Sequence, residues 1–92
     1  MYAHVVTGRA EAEDFDNLTR FVREHLPEIP QQPGFSGFYL LRDADSDKLM
    51  TISLWETEEH LQASVARAAG QAAPAAALTE LRSDTYEVTL SA

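Results

Sequence analysis

The feature that most constrains the fold is a pair of β-prone segments joined by a short polar turn. The segments run from Phe35 to Asp43 and from Lys48 to Glu56, and the turn is Asp43-Ala-Asp-Ser-Asp47. This pattern predicts a β-hairpin. Side chains alternate along a strand, and both alternating sets are rich in apolar residues here. A sheet with two apolar faces must be covered on both sides.

Alternation also predicts which hairpin residues share a face. In the first strand, one face carries Phe35, Tyr39 and Leu41, and the other carries Phe38 and Leu40. In the second strand, one face carries Met50, Ile52 and Leu54, and the other carries Leu49, Thr51, Ser53 and Trp55.

A strand and a helix are predicted before the hairpin. The β-prone run Tyr2 to Thr7 should place Tyr2, His4 and Val6 on one face. Acidic residues then precede Arg20 and Arg23, which suits the dipole of a helix. The apolar stripe of this helix comprises Phe15, Leu18, Val22, His25, Leu26 and Ile29. Pro27 should end the helix near Leu26, and residues 27–34 form a stiff connection.

A helix and a strand are predicted after the hairpin. Thr57 is a suitable N-cap, and the following helix has a thinner stripe of Leu61, Val65 and Ala68 that Gly70 breaks. Residues 72–77 are alanine-rich and suggest a loose turn that leads into a short helix through Leu78 and Leu81. The last strand is expected from Asp84 to Leu90.

The predicted element order is therefore strand, helix, strand, strand, helix, strand. This order is typical of a ferredoxin-like α+β fold, in which a four-stranded antiparallel sheet carries two helices on one face. Ninety-two residues form one domain, spanning 1–92. Because the helices cover only one apolar face, we expect a homodimer packed sheet against sheet. The alanine-rich stretch could support a higher assembly.

Composition excludes several classes of function. The chain has no cysteine, so it forms no disulfide, and this fits a cytoplasmic protein. Its three scattered histidines lack the spacing of a zinc site. A formal charge of −8 opposes binding to nucleic acid or to anionic membranes. The sequence shows neither a membrane-spanning run nor a signal peptide.

Five residues are candidates for a site. His4 could act as a base and Trp55 could stack on an aromatic substrate, so we assign these two to catalysis. Thr51, His25 and Tyr39 are assigned to substrate binding. The hydroxyl of Thr51 lies beside the Trp55 ring by parity, which is the best sequence evidence for a pocket. Structural roles remain open, with Trp55 as a core anchor, His4 as a partnered core or interface residue, and Tyr39 as a packing residue.

Two motifs resemble the antibiotic biosynthesis monooxygenase superfamily. They are Gln32-Pro-Gly-Phe35, which continues through Leu40, and Ile52-Ser-Leu-Trp-Glu-Thr-Glu-Glu59. The resemblance implies a homodimeric α/β barrel with a pocket between each sheet and its helices. It also implies oxidation of phenols to quinones by molecular oxygen without a cofactor, or degradation of haem, although many members have no known activity.

This chain carries only some of the residues that are typical of these two branches of the family. Trp55 matches a pocket tryptophan of the quinone-forming members, which carry an asparagine where this chain has Thr51 and a tyrosine where it has Leu61. Haem-degrading members have an asparagine near the position of His4, and a tryptophan and a histidine along the second helix. That helix has Ser64 here and no histidine after His60.

We therefore predict a cofactor-independent monooxygenase that acts on a small aromatic or polyketide-like compound. A non-catalytic dimeric module for a metabolite or a protein is the main alternative. An isomerase or cyclase is also possible on this fold, because acid–base chemistry in such a pocket does not require oxygen.

Overall fold

The computed structural model describes residues 1–69 and 78–92. Its elements occur in the predicted order of a ferredoxin-like domain. They are β1 (Tyr2–Arg9), α1 (Ala12–His25), a 3₁₀ turn (Ile29–Gln31), β2 (Phe35–Arg42), β3 (Lys48–Trp55), α2 (Glu58–Ala69) and β4 (Thr79–Glu87). The strands form one antiparallel sheet in the order β2-β3-β1-β4, which confirms the predicted fold class.

The ends of the helices follow from local chemistry. Helix α1 ends at His25, with Leu26 as its C-cap, because Pro27 follows. At the start of α2 the hydroxyl of Thr57 accepts a hydrogen bond of 3.1 Å from the backbone N–H of His60. Thr57 is thus the N-cap that the sequence predicts.

The last strand differs from its prediction. β4 begins at Thr79 and includes Leu81, so the predicted short helix through Leu78 and Leu81 is wrong. Pairing with β1 overrides the helical preference, since Thr79 lies opposite Arg9. β4 ends at Glu87 and not at Leu90, because Glu87 lies opposite Tyr2, where β1 starts. The predicted alanine-rich turn lies outside the described residues.

A β-bulge changes the faces of β2. Phe35 lies opposite Trp55, whereas Gly37 lies opposite Leu54, so the register shifts between Phe35 and Gly37. The prediction that Phe35 shares a face with Tyr39 is therefore wrong. Phe35 lies on the Trp55 face, and the two rings meet edge to face with their centroids 5.8 Å apart.

The hydrophobic core lies between the helices and one face of the sheet. Ala10, Leu18 and Leu49 form a buried cluster, against which Phe15, Val22, Leu40 and Leu78 pack. Leu61 of α2 is completely buried, and Trp55 is 3% exposed. These residues hold both helices against the face of the sheet that carries His4 and Trp55.

The opposite face of the sheet has no helix over it. Its large apolar side chains include Tyr39 and Leu41 of β2 and Tyr86 of β4, which are 56%, 44% and 55% exposed. Met50, Ile52 and Leu54 of β3 lie on the same face and are half-buried. We call this surface the open face. No helix among the described residues is long and apolar enough to cross a membrane.

Candidate functional site

A partly enclosed pocket of about 270 Å³ lies between the sheet and the helices. Strands β1, β2 and β3 form its floor, and α1, α2 and the connection after α1 form its walls. The lining residues are His4, Val6, Phe21, Val22, His25, Glu28, Ile29, Gln32, Phe38, Thr51, Ser53, Trp55, Ser64, Val65 and Ala68. The volume is close to the lower end of the range for small-molecule sites.

Four of the five predicted site residues line this pocket. Strand pairing puts His4 opposite Ser53, next to Thr51 and Trp55 on the same face of the sheet. His25 reaches the pocket from the last turn of α1. Tyr39 is not among them, because it lies on the open face, on the other side of the sheet.

Trp55 lines the pocket and is also part of the packed structure. Its indole N–H donates a hydrogen bond of 2.9 Å to the hydroxyl of Ser53, two residues earlier on the same strand. Phe35 packs edge-on against its ring. The indole is therefore held by its neighbours, with its only donor satisfied, and because it is 3% exposed it presents only a small apolar area to the pocket.

His25 is oriented by its own helix. Its Nδ1 lies 2.8 Å from the carbonyl oxygen of Phe21, and its ring packs against the Phe21 ring, tilted by 33°, with 4.2 Å between the centroids. A carbonyl oxygen only accepts hydrogen bonds, so Nδ1 must carry a proton. In the neutral ring, Nε2 then has a free lone pair and can accept a proton or a hydrogen bond from a ligand.

His4 lies at the centre of β1, between Ser53 of β3 and Thr85 of β4. It is half-buried, and desolvation lowers the pKa of its imidazole from the ordinary value of 6.5. His4 is consequently neutral near pH 7. It can exchange a hydrogen bond with a ligand but adds no fixed positive charge to the pocket.

The connection after α1 forms a wall of the pocket that the sequence pattern did not indicate. Glu28, Ile29 and Gln32 lie in a segment that was predicted only as a stiff linker. The side-chain oxygen of Gln32 accepts a hydrogen bond from the guanidinium of Arg67, which ties the connection to α2. The one sequence signal for this wall was Ile29, which continues the apolar stripe of α1.

The pocket combines aromatic walls with two imidazoles and several small hydroxyls. The wall residues Phe21, Phe38 and Trp55 favour a flat aromatic ligand. The Nε2 atom of His25 can remove a proton from a hydroxyl of that ligand. Within residues 1–69 and 78–92, no group of three or more acidic, histidine or cysteine side chains is arranged to bind a metal ion.

These features define a ferredoxin-like domain with a small-molecule pocket between its sheet and its helices. The sequence model for antibiotic biosynthesis monooxygenases matches residues 1–76, and the chain belongs to this family. No curated protein matches the chain.

Solved structures agree with this assignment at the level of the fold. The haem degrader MhuD from Mycobacterium tuberculosis is 23% identical, with a TM-score of 0.77, over 100% of this chain and 99% of that one. SnoaB from Streptomyces nogalater, a cofactor-independent oxygenase whose N63A mutant was solved, is 18% identical, with a TM-score of 0.74, over 98% and 94%. A protein of unknown function from Nitrosomonas europaea is 21% identical, with a TM-score of 0.77, over 99% and 91%.

Proposed function

We propose that the protein is a cofactor-independent monooxygenase that oxidises a small phenol in the pocket between sheet and helices. The observation that carries this proposal is His25, whose hydrogen bond to the Phe21 carbonyl leaves Nε2 as an acceptor in an aromatic pocket. His25 is thereby a base that is already in the required tautomer. Membership of the family is consistent with this chemistry.

The reaction begins with a proton transfer. The phenol hydroxyl gives its proton to Nε2 of His25, and the Nδ1–H bond to Phe21 remains in place to stabilise the resulting imidazolium. The phenolate is electron-rich and supplies every electron that oxygen accepts. One oxygen atom enters the ring as a carbonyl and the other leaves as water. For 1-naphthol the balance is C₁₀H₈O + O₂ → C₁₀H₆O₂ + H₂O.

Other pocket residues orient the phenol. The indole of Trp55 packs against the ring, and the hydroxyl of Thr51 beside it hydrogen-bonds an oxygen of the substrate. His4, which burial keeps neutral, bonds a second oxygen from the floor. The apolar walls shield part of the pocket from water, which strengthens these hydrogen bonds.

SnoaB, which shares the fold, is described as a cofactor-independent oxygenase, and this supports the same chemical class here. MhuD, which also shares the fold, is described as a haem degrader. We favour a smaller aromatic ring over a haem because the volume of the pocket, about 270 Å³, is close to the lower end of the range for small-molecule sites.

The active form is proposed to be a homodimer in the cytoplasm. The open face supports this assembly, since exposed Tyr39, Leu41 and Tyr86 together make an apolar surface that a second sheet can cover. The lack of cysteine supports the location.

Oxygen uptake tests the reaction directly. The purified protein is incubated with 1-naphthol and ¹⁸O₂ in a chelator-treated buffer without flavin. We expect one O₂ to be consumed per naphthol, and one ¹⁸O atom to be found in the naphthoquinone. If bound naphthol is recovered unchanged, with no uptake above the protein-free control, the oxygenase proposal fails.

One observation favours a second candidate, a binding module without catalysis. Trp55 is almost completely buried and its N–H is satisfied by Ser53, as in a purely structural anchor. This candidate predicts saturable binding of the phenol with no oxygen uptake. An isomerase would also give no uptake, but in D₂O it would exchange a carbon-bound hydrogen of its substrate for deuterium.

A further inference from the structure

A second cavity, which we call the side groove, adjoins the pocket. It has a volume of about 360 Å³ and lies between α1 and the edge strand β2. Its apolar walls are Phe15, Val22, Leu26, Phe38 and Leu40. Val22 and Phe38 also line the pocket, so these two side chains form the partition between the cavities.

The side groove has a positive rim on an acidic protein. Arg23 is the charged residue in its lining, and the guanidinium of Arg42 lies 5.0 Å from the ring centroid of Phe15, one of its walls. Both arginines are exposed. The two ion pairs of the described residues both use Arg9, so neither Arg23 nor Arg42 is in an ion pair there.

The remaining polar group of the side groove is already satisfied. Thr19 donates its hydroxyl to the carbonyl of Phe15 at a distance of 2.9 Å. The body of the side groove therefore has no unsatisfied polar group for a ligand to bind, whereas the arginines at its rim attract an anion. An apolar chain that ends in a carboxylate has the complementary chemistry.

We propose that the natural substrate is an aromatic compound with an apolar arm that ends in a carboxylate. Its ring occupies the pocket, its arm passes between Val22 and Phe38 into the side groove, and its carboxylate binds Arg23 and Arg42. This inference rests on the proposed function for the placement of the ring. It adds the substrate class and the residues that select it.

Three ligands that share a ring test the proposal by anaerobic calorimetry, in which no oxidation can occur. They are 1-naphthol, 4-(5-hydroxynaphthalen-1-yl)butanoate and the primary amide of that butanoate. We expect the butanoate to bind about tenfold more tightly than the neutral amide, because a charged hydrogen bond contributes more than a neutral one. This difference should shrink at high salt.

Substitutions of the two arginines test where the carboxylate of the butanoate binds. Arg23→Gln and Arg42→Gln should each remove most of the advantage of the butanoate without changing the affinity for 1-naphthol. Arg20→Gln is the matched control, since Arg20 lies on the same helix but bonds Asn17 and does not line the side groove. Val22→Phe should weaken binding of both armed ligands more than that of 1-naphthol.

The outcomes separate this inference from the proposed function. The inference would be overturned if the butanoate and its amide bound equally well, or if the tighter binding of the butanoate survived in both arginine variants. In either case, binding of 1-naphthol would leave the proposed function standing. Tight, arginine-dependent binding without any oxygen uptake would support the inference and reject the oxygenase. If no ligand binds, both fail.

Discussion

At the scale of single residues, the site depends on how two imidazoles differ in their surroundings. The tautomer of His25 is fixed by a hydrogen bond to a backbone carbonyl, whereas partial burial lowers the pKa of His4. Parity along β3 was enough to group Thr51 with Trp55 from the sequence, but parity did not place His4 beside them, since that depends on the pairing of β1 with β3. Parity also could not exclude Tyr39, because alternation separates two faces without saying which one the helices cover.

Replacing His25 tests its role as the base. His25→Gln should lower kcat for 1-naphthol oxidation by about 100-fold or more, with a smaller change in KM, because a glutamine cannot accept the proton. The control is His60→Gln, since His60 does not line the pocket and bonds Thr57 instead. Similar rates for both variants would remove His25 from the mechanism.

Burial of His4 predicts a pH dependence of stability. Because the pKa of His4 is lowered in the folded state, the unfolded chain binds more protons at a pH near and below 6.5. The free energy of unfolding should therefore decrease as the pH falls through 6.5. Urea denaturation between pH 8 and pH 5 should give a flatter dependence for His4→Gln than for the wild type. An unchanged slope would mean that His4 is fully solvated.

At the scale of secondary-structure elements, the first 69 residues follow their local signals closely. Caps, prolines and alternation are local, so the end of α1, the hairpin and the start of α2 were predictable within one or two residues. β4 was not, since its span is set by the length of β1 and not by its own sequence. The bulge at Phe35 was missed for the same reason, because a register shift depends on both strands.

The contact between Gly34 and α2 gives a prediction at this scale. Gly34 has a φ of +77°, and a Cβ atom at this position would overlap the ring of His60. Gly34→Ala should therefore destabilise the protein by about 2 kcal/mol or more in chemical denaturation. At Gly37 a Cβ would have its nearest neighbour, a Leu54 methyl, at 3.4 Å. Gly37→Ala should be clearly milder, and equal losses would contradict the argument.

At the scale of the whole molecule, the sheet has two apolar faces, of which only one is covered by helices. One is covered by α1 and α2 and contains the pocket, and the other is the open face. The order of the elements was sufficient to infer the fold from the sequence, and the prediction that both faces of the sheet are apolar was sufficient to expect a dimer. The size of the pocket and its partition from the side groove depend on how side chains of separate elements meet, and no local pattern reports that.

Charges on the open face should break the proposed dimer. The double variant Tyr39→Glu, Leu41→Glu is expected to sediment as a monomer in analytical ultracentrifugation, because buried unpaired carboxylates oppose association. Ala63→Glu, at an exposed position of α2, is the control and should remain dimeric. A wild-type monomer at high concentration, or a double variant that is still dimeric, would contradict assembly through this face.

Binding of a phenol in the pocket and removal of its proton should be visible in an anaerobic titration. Phenols in water ionise near pH 10. 1-Naphthol is therefore neutral at pH 7.5 unless a base accepts its proton. Proton transfer from a phenol to an imidazole is uphill, so only a fraction of the bound ligand should ionise. We predict that protein added without oxygen at this pH produces part of the absorbance of the naphtholate, that this signal saturates as the sites fill, and that His25→Gln abolishes it. A bound ligand that keeps the spectrum of neutral naphthol, or no binding at all, would contradict the account.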